Sequence, residues 1–219
     1  MRIGIIGAGF IGRAVATLAV QNGHDVMISN SRDARSLGST VVAIGCKAGT
    51  AEEAASFAEV AVLAIPFANR NALPVAPLAG KVVLDANNYY PARDGAIAEL
   101  DRHETTTSEL IAAHLKGARV VKAFNAILQA DLAKGGTPFG SPGRRALPIA
   151  GDDAEAKQIA REIYNQFGFD TVDAGPLREG WRFERAKPAY CTVLDAVGLT
   201  AALAAAERQV ELPHGSWRT

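Results

Sequence analysis

A doubly wound α/β fold, a mostly parallel sheet with helices on both faces, is what three features of these 219 residues predict. Short apolar, β-branched runs alternate with segments of helical period; the runs lack the in-and-out alternation of half-exposed strands; and a glycine-rich turn joins the first run to the first helix. The composition agrees with a packed chain, since 48% of the residues are hydrophobic. Lys plus Arg (23) equals Asp plus Glu (23), so no overall field draws the chain to nucleic acid or to an anionic membrane. The longest apolar runs, such as Val60 to Ala68, fall far short of a bilayer span. Neither nucleic acid nor membrane is therefore expected as a partner.

The elements follow in order. Arg2 to Ile6 reads as a strand, and Ile11, Val15, Leu18 and Ala19 recur at helical spacing until Asn22-Gly23 offers a C-cap. Asp25 to Ser29 resumes as a strand, which completes a βαβ unit within about 30 residues. Val60 to Ile65, Val82 to Ala86 and Val120 to Phe124 read as strands covered on both faces, with helices expected at Thr50 to Phe57, Asn69 to Leu78 and Thr107 to Leu115. A glycine- and proline-rich loop, Gly135 to Gly143, leads to a strand at Ala146 to Ala150, a helix at Asp152 to Phe167 and a strand at Asp170 to Val172. Beyond Pro176 come the basic and aromatic stretch Trp181 to Arg185 and an alanine-rich helix from about Thr192 to Arg208. Residues 1–175 are thus expected to form the main domain, and residues 176–219 a small helical extension that caps it or makes a dimer. No repeat of fixed period is visible.

The strongest local signal is Gly7-Ala8-Gly9-Phe10-Ile11-Gly12, a GxGxxG string between a strand and a helix. In that context Gly7 makes the tight turn, Gly9 lets backbone approach a pyrophosphate, and Gly12 lets helix pack on strand. The expected architecture is therefore the Rossmann type, with the helix N-terminus facing the phosphates. An NAD site usually closes its second strand with an acid about 20 positions after the first glycine. Here the strand closes with Ser29-Asn30-Ser31-Arg32, and Arg35 follows. Hydroxyl and guanidinium groups suit a 2′-phosphate, so NADP(H) is the expected cofactor; the competing reading leaves Arg32 and Arg35 as solvated charges around Asp33.

Ile65-Pro66 ends a strand where ligands lie in doubly wound sheets, and is expected to flank the nicotinamide. The strings Asp85 to Pro91 and Lys122 to Asn125 close the next two strands at the same edge. Asn87, Tyr90 and Asn125 are the candidates there for a substrate pocket, although asparagines at strand ends also serve local turns. No catalytic residue is identified. His24, His103, His114 and His214 have no metal-ligand or triad spacing, and no metal is expected. Hydride transfer needs no such constellation, because the cofactor carries the chemistry and the protein fixes two rings face to face. Cys46 and Cys191 stand far apart without metal or disulfide spacing, and the first residues lack a signal-peptide pattern, so a reducing cytoplasm is the expected compartment.

On the glycine turn, the Ser-Asn-Ser-Arg strand end, Ile65-Pro66, Val120 to Asn125, Gly151-Asp152-Asp153 and Asp173 to Leu177, the sequence resembles the NADPH-dependent oxidoreductases related to the deazaflavin coenzyme F420:NADP reductases. The resemblance spans nearly the whole chain. It implies a Rossmann domain with a C-terminal extension, a homodimer, and hydride transfer between NADPH and a second ring, with coenzyme F420 as the co-substrate. It also implies that Asn30, Ser31, Arg32 and Arg35 read the 2′-phosphate. The departures concern the substrate side: the Asp85 to Pro91 string differs from that of the archaeal reductases, and Leu128 stands where they carry a proline. Val-Lys-Ala-Phe-Asn is also similar to the dinucleotide-binding part of the membrane ferrireductases. Flavin, quinone, imine and ferric reduction are the alternatives, together with a non-catalytic NADP(H) sensor.

Overall fold

The computed structural model describes residues 1–213 and Gly215; His214 lies outside the described residues. Eight strands form one sheet: β1 (Arg2–Ile6), β2 (Asp25–Ser29), β3 (Lys47–Gly49), β4 (Val60–Leu63), β5 (Val82–Asp85), β6 (Arg119–Lys122), β7 (Ala146–Gly151) and β8 (Asp170–Asp173). Their order is β3-β2-β1-β4-β5-β6-β7-β8. The first six run parallel, β7 pairs antiparallel with β6 through Val121 opposite Gly151, and β8 runs parallel to β7. The doubly wound order is the Rossmann arrangement with two strands added beyond β6.

The helices are α1 (Phe10–Gln21), α2 (Gly38–Ile44), α3 (Ala51–Phe57), α4 (Pro91–Asp94), α5 (Ala98–Asp101), α6 (Thr107–His114), α7 (Gln129–Lys134), α8 (Ala154–Gln166) and α9 (Ala196–Ala204). Local sequence explains several starts. Thr50 with Glu53 opens α3, and Thr106 with Glu109 opens α6, each as a complete capping box. Asp153 and Asp195 cap α8 and α9 by accepting the N–H groups of Ala156 and Gly198. One apolar layer, including Ile3, Val15, Val62 and Phe124, fills one face of the sheet; a second, including Ile6, Ala54, Phe67 and Ile111, fills the other. Phe183, Tyr190, Leu199 and Leu203 make a third cluster that seats the segment after Pro176 on β7.

Several boundaries differ from the sequence expectation. The helix expected at Asn69 to Leu78 is two short 3-10 turns, Phe67–Ala72 and Ala76–Leu78. Pro74 separates them and holds Leu73 extended, at φ −67° and ψ 136°. Strands expected to reach Ile65 and Phe124 stop at Leu63 and Lys122. The terminal helix is confined to Ala196–Ala204, while Leu177–Phe183 is a 3-10 helix. β3 went unpredicted because a three-residue strand, Lys-Ala-Gly, carries no periodic signal.

Candidate functional site

The strand order reverses between β1 and β4, which opens a crevice at the carboxyl edge of the sheet. The three motif glycines divide their work there. Gly7 has φ +117°, and a Cβ on it would collide with the Ala64 carbonyl oxygen; a Cβ on Gly12 would collide with the Gly7 carbonyl oxygen. Gly9 faces open space, with nothing within 4 Å of where its Cβ would lie. Two glycines therefore serve packing, and the third leaves room for a ligand. Gly9 is also the N-cap of α1 and supplies no side-chain cap, so the first-turn N–H groups lack one. Arg13 Nε donates to the Ala8 carbonyl at 2.8 Å and fixes the turn, while Phe10 stands 81% exposed beside it. Ile11, the next residue, packs against the core from a partly buried position.

At the end of β2, Asn30 Oδ1 accepts the N–H of Arg32 at 3.0 Å, and Asn30 Nδ2 donates to Ser36 Oγ at 2.9 Å. This Asx turn sets Ser31 and Arg32 outward, both exposed. Arg35 pairs with Asp33 at 3.2 Å, both groups well exposed, whereas Arg32 has no ion pair among the described residues. Arg32 is thus the guanidinium left available; Arg35 must exchange one anion for another.

The opposite end is built differently. Ile65 donates its N–H to Asn87 Oδ1 at 2.9 Å, and Pro66 follows as an exposed residue. Ile65 also lies against Gly7, so the glycine turn and the Ile65-Pro66 loop are adjacent. Asn125 and Asn88 bond each other twice, Asn88 Nδ2 to the Asn125 carbonyl (2.9 Å) and Asn125 Nδ2 to Asn88 Oδ1 (3.1 Å). A further bond from Asn125 Nδ2 reaches the Phe183 carbonyl at 2.9 Å. The hydroxyl of Tyr90 lies 2.5 Å from that of Tyr190, with the Arg93 guanidinium 4.7 Å from the Tyr90 ring centre. Asn87, Asn125 and Tyr90 do converge on one edge, but their polar groups also tie the edge together.

Beneath them sits a fully buried lysine. Lys122 Nζ donates to Thr107 Oγ1 (2.7 Å) and to the Asn87 carbonyl (3.2 Å), and pairs with Glu184 at 3.2 Å. Ser108 Oγ donates to the buried Asp85 carboxylate at 2.6 Å. Burial pushes the Asp85 carboxyl up, against the pull of Lys122, Ser108 and the Asn87 N–H. Burial also acts upward on Glu184, but the Lys122 ammonium and hydrogen bonds from Thr107 outweigh it and hold that carboxyl low. Sequence reasoning missed this cluster. The available signal was a lone charge inside the run Val120-Val121-Lys122-Ala123, since a lysine is almost never fully buried unless paired. No group of three His, Cys, Asp or Glu able to hold a metal exists among the described residues. Among the same residues no helix is long and apolar enough to cross a membrane.

Residues 2–89 match the family model described as NADP oxidoreductase, coenzyme F420-dependent. Over 178 residues, 80% of the chain, the sequence is 30% identical to metalloreductase STEAP3 of Rattus norvegicus, and it spans only 34% of that protein's length. Among solved structures, a hypothetical protein of Sinorhizobium meliloti, SMa0349, is 30% identical with a TM-score of 0.73, covering 89% of this chain and 94% of that one. A structure from Arthrobacter described as an F420-dependent NADP reductase is 26% identical with a TM-score of 0.68, covering 80% and 85% respectively.

Proposed function

The chain belongs to the family of coenzyme F420-dependent NADP oxidoreductases, and on that premise we propose that it transfers hydride between NADPH and a second redox cofactor or small substrate, with a deazaflavin as the favoured acceptor. The observation that carries this reading is the pairing of an uncapped helix N-terminus above the open Gly9 with an unpaired Arg32 one strand away. A dinucleotide with a 2′-phosphate needs both features, at that separation and in that order along the sheet edge.

In this reading the backbone of Gly7, Ala8, Gly9, Phe10, Ile11 and Gly12 binds the pyrophosphate. Asn30, Ser31, Arg32 and Arg35 hold the 2′-phosphate, Ile65 and Pro66 flank the nicotinamide, and Asn87, Tyr90 and Asn125 line the acceptor's side. When bound, NADPH supplies a hydride whose two electrons reduce the acceptor and leave NADP+. The protein's part is to align the two rings and exclude water, so the absence of an identified catalytic acid is consistent with the role.

Residues 1–175 serve as the dinucleotide domain, and residues 176–219 as a dimerisation element. Val193 and Val197, 68% and 80% exposed beside and on α9, support a homodimer through that face. The two free cysteines, Cys46 and Cys191, suit a reducing cytoplasm.

Stopped-flow oxidation of NADPH, with a deazaflavin, flavin mononucleotide, a simple quinone and a cyclic imine offered in parallel, tests the proposal. Oxidation by the deazaflavin alone is the expected result. Tight NADPH binding with no oxidation by any acceptor replaces the enzyme by an NADP(H) sensor, and no binding at all overturns the cofactor assignment.

A further inference from the structure

Past α9 the chain turns back across the domain, and it is attached there by polar groups. Ala206 is buried, but from Glu207 to Pro213 no residue is: Arg208 is half-buried and the others are exposed. Lys187, itself only 6% exposed, donates Nζ to the carbonyls of Glu207 (2.8 Å), Arg208 (2.9 Å) and Val210 (2.6 Å). An ammonium has three donors, so this one side chain spends all of them on a single turn of the segment. Leu212 donates its N–H to the Ala186 carbonyl at 2.8 Å, Arg208 Nε donates to the His103 carbonyl at 2.9 Å, and Glu211 pairs with Arg185 at 3.1 Å. A segment that buries so little apolar surface belongs to the part of a fold that opens most readily.

Beneath it lies a cavity of about 210 Å³. Trp181, Tyr89 and Leu100 give it an apolar wall; Arg185 and Lys187 reach it from the body of the protein, and Arg208 and Glu211 from the segment above. The volume is below the about 300–1,000 Å³ of pockets for drug-sized molecules and suits a single ring. The carboxylates that the body contributes to the wall have partners of their own: Glu184 pairs with Lys122 at 3.2 Å, and Asp101 accepts the Tyr89 hydroxyl at 2.8 Å. Arg185 and Lys187 take their oxygens from the segment instead, a carboxylate for the first and three carbonyls for the second. Lifting the segment strips both cations of those oxygens, and a buried ammonium left without acceptors is strongly unfavourable.

We propose that residues 207–212 are a strap that stands in for a ligand. A small organic anion with one ring displaces the strap, its acidic group taking over Arg185 and Lys187 and its ring lying against Trp181. The strap keeps the cavity closed until such an anion competes for the same two cations.

Benzoate, with benzamide as its neutral counterpart of the same shape, tests this on the full chain carrying Trp217→Phe, which leaves Trp181 as the one tryptophan. Benzoate should change Trp181 emission saturably, and benzamide should bind at least about tenfold more weakly, the scale of a lost charge-assisted hydrogen bond. Glu211→Gln removes the strap's own carboxylate and should tighten benzoate about two- to fivefold, the scale of one exposed ion pair. Lys187→Gln should weaken it at least about tenfold. A merely structural role would move both variants in the same direction. Bound benzoate should also speed trypsin cleavage after Arg208, read by mass spectrometry, with benzamide leaving the rate unchanged. No saturable binding of benzoate, or equal binding of benzamide, overturns the anion site. Benzoate that binds yet leaves or slows that cleavage, or binds more weakly to Glu211→Gln, overturns the displacement. The exposed Glu211 keeps the test decisive even where Lys187→Gln fails to fold, and every readout is taken without NADPH, apart from the cofactor assignment.

Discussion

The two ends of the sheet edge hold their candidate site groups in opposite ways. At β1 and β2 the groups are backbone amides, an open glycine and exposed side chains. At β4, β5 and β6, Lys122 and the buried asparagines lace three strand ends together through hydrogen bonds. A phosphate brings enough charge to organise flexible partners, whereas a neutral ring needs its partners placed beforehand. Changes at the first end should therefore alter affinity with little cost to folding, and changes at the second should cost folding first.

Lys122→Met is the sharpest way to break that contrast. It strands the Asp85 and Glu184 carboxylates without their ammonium, and a loss of about 3–5 kcal/mol in urea unfolding is expected. A loss under about 1 kcal/mol would mean that the buried end is not held by this charge. Gly12→Ala, which drives a methyl group into the Gly7 carbonyl, should cost about 1–3 kcal/mol in the same assay. Gly9→Ala should leave stability within about 0.5 kcal/mol, because its Cβ meets only open space, while weakening NADPH if the proposed pyrophosphate site lies there.

Arg32→Ala should weaken NADPH by about 1–3 kcal/mol, read by fluorescence titration, with NADH binding and thermal stability unchanged. Equal loss for both dinucleotides would remove the 2′-phosphate role. The smallest effect is in acid. The Glu184 carboxyl is held below its ordinary range, so the native state binds fewer protons than the unfolded one as pH falls. Stability from this group is complete above the ordinary carboxylate range and is lost as pH drops through the lowered value. Glu184→Gln should flatten that part of the stability-versus-pH curve in thermal melts.

The first end was legible because its chemistry is local. Gly7 to Gly12 and Asn30 to Arg35 are contiguous strings whose spacing states their geometry. The second end was legible only in outline. Asn87 and Asn125 stand at strand ends where ligands are expected, but what they bond depends on Ile65 and Phe183, which are 22 and 58 residues away. Glu184 reaching Thr107 across 77 positions leaves no mark on periodicity at all. The same limit hid the reversed direction of β7, since an apolar run carries no sign of whether it lies parallel or antiparallel. Pro74, by contrast, was a readable break in the segment Asn69 to Leu78.

The bond from Asn125 to the Phe183 carbonyl and the ion pair of Lys122 with Glu184 have a consequence for synthesis on the ribosome. A nascent chain with β1 through β6 outside the exit tunnel has its glycine turn and Arg32 but still lacks α7 and α8, which pack on α1 and β6. Its ring end remains without two of its braces until residues 183 and 184 emerge. Translation-arrested chains of graded length should therefore stay open to protease until α7, α8 and residues 183 and 184 have emerged.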